Sequence, residues 1–494
     1  MSQITSILKR LGPSRSSKVT SELEKYTGIN TVTARQRVSR VCGEIKKFPI
    51  PLLPNKEAFV YLLEQRITEN FWINLLEALR DTNSIYGYSI DSLVAKGGII
   101  SKSEFAVISG APILMKGQVS NQRVYSTLES AGVVRTEVID EIECVVISRP
   151  ELCMPDYAGF RPKLIAEDVI LDGFHEWARK TGFGSFNKIV TRKSELERRR
   201  VGPCAWDLSA PSYLLPLKGD KSKPGFLVAD VFSDGRLGKN EIGYIIRKVH
   251  LLKASLRHSR ILPVLIGESF TGEAITKGRS EGILLITPEL LFGSTVARGL
   301  KNLIETLRNA AGIAAANPDR IVRLIEQLKD IEGSASNLRG ILFELICAYI
   351  AKVLGGTIEF AIKAKDAATG KEADIDVLRI PHKGECIAIE CKGKNPGGIV
   401  NVEEVEEWVK RFPVFTSHLR SDPRYKDSNQ RFEIWTSGSF SEDALKLLEK
   451  EKKARKKIPI DWKDGKAVFS ISNTAKEKRI NEALKEHFLR HPLK

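Results

Sequence analysis

Cysteine is scarce and scattered in this sequence. Seven residues occur in 494: Cys42, Cys144, Cys153, Cys204, Cys347, Cys386 and Cys391, with no C-x-x-C pair. An odd, dispersed set excludes a disulfide framework and a thiolate zinc site. The seven histidines show no H-E-x-x-H and no paired-ligand spacing. No G-x-x-x-x-G-K-[ST] occurs, so the chain carries no ATP motor of its own. No run of 18 apolar residues is present, and residues 1–30 hold no apolar targeting segment. A cytoplasmic protein with no membrane partner is expected.

What is present is a globular mixture, 42% hydrophobic and 28% charged, long enough for two to four domains. Lysine and arginine number 77 against 61 acids, a net charge of +16. A surplus of that size suits a polyanion such as nucleic acid, or is only a solvated basic surface.

The basic charge is concentrated at the start. The first 50 residues hold 10 basic and 3 acidic side chains, a net +7. Ile4, Ile7, Leu8 and Leu11 recur at helical spacing, then Val19, Leu23 and Tyr26 on a second helix that Gly28 can stop. Asn30 or Thr31 caps a third helix, expected to run through residues 32–48. Its apolar face would carry Val32, Val38, Val41 and Ile45, and its outer face Arg35, Arg37 and Arg40. This order resembles winged helix-turn-helix DNA-binding domains, whose third helix enters the major groove. The resemblance implies that Thr31, Thr33, Arg35, Arg37 and Arg40 meet DNA. A three-helix protein-interaction module is the alternative. A second segment repeats the plan, with helices at 67–80 and 101–109. A candidate recognition helix follows over Val119–Ala131, bearing Arg123, and then an acidic two-stranded wing. Here an interaction role is as apt as DNA contact.

Chemistry concentrates near the C-terminus. RGILFELICAYIAKVL (339–354) is an apolar helix holding one acid, Glu344, and Gly355 and Gly356 stop it. TIEFAIKA, EADIDVLRI and ECIAIECKGK read as strands, the last two joined by the tight turn PHKG. Strand parity puts Asp374 and Asp376 on one face, and Glu390 and Lys392 on one face of the next strand. A tight hairpin would set Asp376 beside Glu390. Grouped acids repel, and a divalent cation between them relieves the repulsion. Asp376 and Glu390, with the Cys391 carbonyl, are the expected ligands of Mg²⁺, with Mn²⁺ as a substitute. Lys392 would orient or deprotonate the attacking water, and Glu344 would assist at the metal. The bland alternative makes these charges cross-strand salt partners.

A helix with Glu, a hairpin with Asp and an apolar strand ending in E-C-K together resemble the PD-(D/E)XK nuclease superfamily, in its Mrr-like restriction endonuclease flavour. TSGSFSEDAL (436–445) resembles that group's closing strand, turn and helix. The resemblance covers about 140 residues and implies a mixed sheet flanked by helices and a DNA substrate. Ala373 stands where the name suggests proline, which leaves Asp374 and Asp376 as rival ligands, with Asp376 preferred.

Residues 160–300 read as a duplicate of this plan. DGFHEWARKTGF supplies Glu176 as the helix acid, AWDLSAPSYLL supplies Asp207, and GFLVADVF supplies Asp230. IGESFTGEAI (266–275) matches TSGSFSEDAL. Phe232 then falls where Lys392 stands, so this unit is expected to be degenerate. A residual site using Glu176, Asp207 and Asp230, or two unrelated α/β domains, are the alternatives.

The expected fold class is multidomain α/β: winged-helix modules at 1–66 and 67–154, a degenerate restriction-endonuclease-like domain at 155–310, and a PD-(D/E)XK nuclease domain at 311–494, with a helical linker over 311–334. The expected function is metal-dependent DNA cleavage, in defence against foreign DNA or in repair, by a chain that can dimerise with itself. A non-catalytic DNA-binding regulator and an RNA nuclease are the rivals.

Overall fold

Leu8, Val19, Leu23, Ala34 and Val38 meet in one small core because three short helices present them at helical spacing, and Val60 joins them from a strand. These are α1 (Gln3–Leu11), α2 (Ser16–Thr27) and α3 (Thr31–Ser39). Strands β1 (Ser14–Arg15), β2 (Ile45–Lys47) and β3 (Phe59–Leu62) form an antiparallel sheet in the order β1-β3-β2. The computed structural model describes residues 3–139, 142–185, 187–217, 224–256, 260–308, 318–332, 336–366, 368–381, 384–474 and 478–489. Gly28 ends α2 at φ +70°, donating to the Glu24 carbonyl, and the Asn30 side chain caps α3 by accepting from Thr33 N at 2.8 Å.

The third helix is shorter than its spacing predicts. It stops at Ser39, Gly43 turns the chain at φ +70°, and Ile45 is buried from a strand. Arg40 is therefore the residue that ends the helix, and Val32, placed by spacing on the apolar face, is 65% exposed. Ala34 and Val38 carry that face instead.

The next segment holds α4 (Glu69–Asp81), α5 (Ile85–Ala95), β4 (Ile99–Ser101), α6 (Phe105–Ile108), α7 (Asn121–Ser130), β5 (Val134–Ile139) and β6 (Ile142–Ile147). Its sheet runs β4-β6-β5, matching β1-β3-β2. Periodicity does not announce helix α5. It is buried on most sides, at Ile85, Tyr86, Gly87, Ser89, Ile90, Asp91, Ser92 and Leu93, so it has no polar stripe to reveal a period of 3.6. Its polar groups are satisfied: Ser89 and Ser92 donate to the Ser109 and Ile108 carbonyls, and Asp91 takes Arg80 at 2.7 Å.

After α8 (Tyr157–Lys180) come β7 (Val190–Thr191), β8 (Leu208–Ser212), β9 (Gly225–Leu237), α9 (Gly243–Ser255), β10 (Ile261–Phe270), α10 (Gly272–Ser280) and β11 (Leu284–Ile286). The sheet order is β11-β10-β9-β8-β7. Strands β7, β8 and β9 pair antiparallel, and β9, β10 and β11 pair parallel. The last third holds α11 (Ser294–Arg308), α12 (Pro318–Glu332), α13 (Ser336–Val353), β12 (Thr357–Lys365), β13 (Glu372–Ile380), β14 (Glu385–Lys392), α14 (Val402–Lys410), α15 (Phe412–Ser421), β15 (Asn429–Thr436), α16 (Glu442–Ala454) and β16 (Ile460–Lys463). Its sheet runs β12-β13-β14-β15-β16, antiparallel across the first three strands and parallel across the last three. The two five-stranded sheets thus share strand order and every strand direction, and each follows a long helix. The chain is a multidomain α/β protein with mixed sheets flanked by helices.

The chain divides into two compact units, Met1–Glu167 with Phe174–Thr287, and Asp168–Gly173 with Pro288–Lys494. The expected junction at 310/311 and the residues His382 and Lys383 of the PHKG turn lie outside the described residues. Residues 318–332 form α12, whose Ile321, Leu324, Ile325 and Leu328 are buried, and Gln327 accepts from Asn302 of α11 at 2.8 Å. The described part of the expected helical linker is thus a helix with one buried face. No helix among the described residues is long and apolar enough to cross a membrane.

Candidate active site

The hairpin of β13 and β14 pairs Val377 with Ile389, Leu378 with Ala388 and Arg379 with Ile387. One step further along that register sets Asp376 opposite Glu390. There the backbone pairing gives way, and the Asp376 carboxylate accepts the Cys391 N–H at 2.7 Å. Glu390 is buried, 4% exposed at its side chain, and its Oε1 takes Lys392 Nζ at 2.7 Å and Arg411 Nη1 at 3.2 Å. Arg411 lies between α14 and α15, and no motif in the sequence points to it. Asp374 is diverted: it pairs with Lys363 at 2.5 Å, its partner across β12 and β13. Of the two aspartates, Asp376 is the one beside Glu390.

Glu344 sits half-buried in α13, with Leu342, Phe343, Leu345 and Ile346 buried around it. Burial, then the charges of Glu390 and Glu344, push the Asp376 carboxyl well above the usual aspartate range, against the Cys391 N–H and Lys392. Burial alone would loosen the Lys392 proton, but Glu390 and Asp376 outweigh it and hold the ammonium above its ordinary range. The Cys391 thiol lies against Cys347, and burial first, then the nearby charges of Asp376 and Glu344, push both thiols up. Both thiols therefore stay protonated, leaving Cys391 only its carbonyl as a donor to a hard cation. Among the described residues no three His, Cys, Asp or Glu side chains stand as a ready metal cage.

A stability prediction follows from Asp376. The folded chain binds this proton more tightly than the unfolded chain, so the ionised carboxylate destabilises the fold above its folded pKa. That penalty fades as pH falls toward the ordinary aspartate range. Without divalent metal, Asp376→Asn should melt above the parent at neutral pH, and the two melting curves should converge on acidification. A parent that loses ground to the variant as pH falls would contradict this.

The first sheet repeats the arrangement with different charges. Register places Asp207 opposite Asp230, one step beyond Leu208 and Ala229. Asp207 accepts the Val231 N–H at 2.9 Å, as Asp376 accepts that of Cys391. Asp230 pairs with Lys248 at 2.6 Å, both side chains being fully buried. Arg192 bridges Asp207 at 2.7 Å and Glu167 at 2.8 Å, and Lys96 meets Glu167 at 2.6 Å. Burial opposes ionisation of Asp207, yet Arg192 and Lys96 overrule it and hold its carboxyl below the usual range. Burial and the nearby Asp207 raise Asp230 despite Lys248.

Glu176, expected as the helix acid, is not in this cluster. It pairs with Arg179 at 2.6 Å, and Glu167 takes the place instead. Nine residues are two and a half turns, so the two glutamates point to opposite sides of α8, roughly 13 Å apart along its axis. Phe232 is buried in the position that Lys392 holds in β14. Five charged residues of the two clusters are not foreseen from the sequence: Arg411, Glu167, Lys96, Arg192 and Lys248. Glu167 lies in an apolar helical stretch as Glu344 does, but Asp168 and Asp172 accompany it, so nothing local singles it out.

At the N-terminus, Thr31, Arg35, Arg37 and Arg40 are exposed, and Arg37 reaches Gln3 at 3.5 Å. Thr33 gives its N–H to the Asn30 cap. Arg123 is exposed in the first turn of α7.

No family model and no curated protein matches the chain. A solved structure described as that of a protein of unknown function, AF1548, matches at 18% identity with a TM-score of 0.22, over 27% of this chain and 67% of the other. A likeness that slight decides nothing about fold or activity.

Proposed function

We propose that the chain is a metal-dependent nuclease acting on DNA, with its active site on β13 and β14 and a nuclease-like but inert partner sheet before it. The observation that carries this reading is the meeting of Asp376, Glu390 and Lys392 at one hairpin end, beside Glu344. The donors are two carboxylates and the Cys391 carbonyl, a set of hard oxygens that suits Mg²⁺ or Mn²⁺ with retained waters, for which one or two carboxylates are enough. Such an ion supplies Lewis acidity to the phosphoryl group and a lowered pKa to its bound water.

The chain's own residues have separate tasks. Asp376 is fixed by the Cys391 N–H, and Glu390 by Lys392 and Arg411. The charge of Glu344 deepens the negative potential that draws a cation in. Lys392 holds its proton, so it orients the water and offsets charge on the phosphoryl oxygens; it is not the base. The test is nicking of supercoiled duplex DNA with Mg²⁺, comparing the parent with Lys392→Ala and competing duplex against single-stranded RNA. Equal rates for both proteins would remove the catalytic reading, and preferential cleavage of the RNA would change the substrate.

The three helices and β1-β3-β2 sheet support a winged-helix reading of the N-terminus, with exposed Arg35 and Arg37 on α3 meeting phosphates or bases. Duplex affinity should then fall steeply with salt. In Arg35→Ala/Arg37→Ala the log–log slope should flatten by about 0.9 for each phosphate no longer neutralised. Fluorescence anisotropy across salt concentrations reads this, and an unchanged slope and affinity would move the DNA interface elsewhere.

A further inference from the structure

We propose that Lys96 is a built-in counter-cation, its ammonium occupying the place a divalent ion would take in the acidic cluster of the first five-stranded sheet and so closing that cluster to metal. Lys96 Nζ lies 2.6 Å from Glu167 Oε1 and 2.7 Å from the Val231 carbonyl oxygen. A helix carboxylate and a strand carbonyl are donors that a hard cation takes. The carbonyl belongs to the residue between Asp230 and Phe232, the counterpart of Cys391 between Glu390 and Lys392. The Lys96 side chain is 8% exposed and stands 4.3 Å from the centre of the Phe232 ring. Strand β9 thus offers an aromatic face where β14 offers its own ammonium, and a cation returns over that face from another part of the chain.

Charge balance supports the same role. Glu167, Asp207 and Asp230 are all buried. Lys248 pairs with Asp230, Arg192 bridges Asp207 and Glu167, and Lys96 closes the set on Glu167. Three acids meet three bases, and buried charge is tolerated only when so paired. The backbone fixes where Lys96 is delivered. It is the residue that ends α5, and Gly97 and Gly98, at φ +80° and +76°, turn the chain away immediately after it. The Gly97 carbonyl is held by Asp156 N at 2.9 Å. A side chain at Gly97 would be strained and would meet Lys163 Nζ at 2.9 Å.

Removing the ammonium leaves one buried carboxylate charge uncompensated and space beside the Val231 carbonyl. The experiment counts Mn²⁺ bound to the full chain by electron paramagnetic resonance, in a Glu390→Gln background that disables the β14 cluster. Lys96→Ala should bind one more Mn²⁺ than its parent, and Mn²⁺ should raise its melting temperature beyond the effect of NaCl at equal ionic strength. Adding Glu167→Gln should abolish both gains. An equal Mn²⁺ count, or an extra ion that survives Glu167→Gln, overturns the proposal. A Lys96→Ala chain that folds only with Mn²⁺ supports it, and one that stays unfolded with and without Mn²⁺ overturns it. The outcome does not depend on nuclease activity, so failure of the nicking test and failure of this one are separable.

Discussion

Lys392→Ala should lower metal-dependent nicking of duplex DNA by about 10²–10³-fold, the cost of removing one preorganised charge that meets the transition state. The loss should fall on turnover, because the ammonium acts where negative charge develops on the phosphoryl oxygens. Folding should survive. Lys392 is 26% exposed, and Glu390 keeps Arg411 at 3.2 Å, so the variant does not strand a buried carboxylate. Lys392→Arg should recover little, since a forked guanidinium cannot reproduce a point charge at 2.7 Å from Glu390 Oε1. Matched circular dichroism and melting curves for parent and variant, with nicking lowered by that factor, are the expected pair of results. Nicking retained in Lys392→Ala would make the hairpin charges cross-strand salt partners and nothing more.

Lys248→Met should lower stability by about 3–5 kcal/mol, as expected for breaking a buried ion pair from one side. Both side chains of the Lys248–Asp230 pair are fully buried at 2.6 Å, and the Lys248 ammonium also donates to the Val107 carbonyl at 2.9 Å and lies 3.8 Å from the centre of the Trp206 ring. Methionine fills the stem's volume but leaves Asp230 beside Asp207 without its cation. Burial and the Asp207 charge already raise Asp230 with Lys248 in place, so the variant must either bury an unpaired charge or take up a proton. The double variant Lys248→Met/Asp230→Asn removes the charge from both sides and should recover much of the stability. Denaturant unfolding of the three proteins reads this. A single variant within about 1 kcal/mol of the parent would place the pair among weak surface bridges, against its burial.

Much of the second site is visible in local pattern. Period two along EADIDVLRI and ECIAIECK sets which residues share a face, and a tight hairpin then sets Asp376 opposite Glu390, one step beyond the Val377–Ile389 pair. The pairing of Asp207 with Asp230 comes from the folded register, because Ser212 and Gly225 are too far apart along the chain for a tight hairpin to impose it. Local pattern fails where burial is complete or spacing is ambiguous. Helix α5 has no exposed face and hence no amphipathic signature, and α3 ends at Ser39, before the left-handed turn at Gly43, although apolar spacing continues to Ile45. Glu176 and Glu167 are both acids in α8, and only the docked helix decides which one faces the sheet.

By itself the amino-acid sequence determined the strand parity that groups the acids, the helices of the two N-terminal segments other than α5, and the repeated plan of acids and strands in the middle and last thirds. These follow from interactions between residues close along the chain, which a period or a turn residue encodes. Only the tertiary structure decided which distant cations answer those acids. Lys96 lies 71 residues from Glu167 and 135 from Val231, and nothing around a lysine at a helix end marks it for burial against a carboxylate. Its place is dictated by the need to neutralise charge removed from water, a requirement that exists only once the sheet and its neighbouring helices have closed around the site.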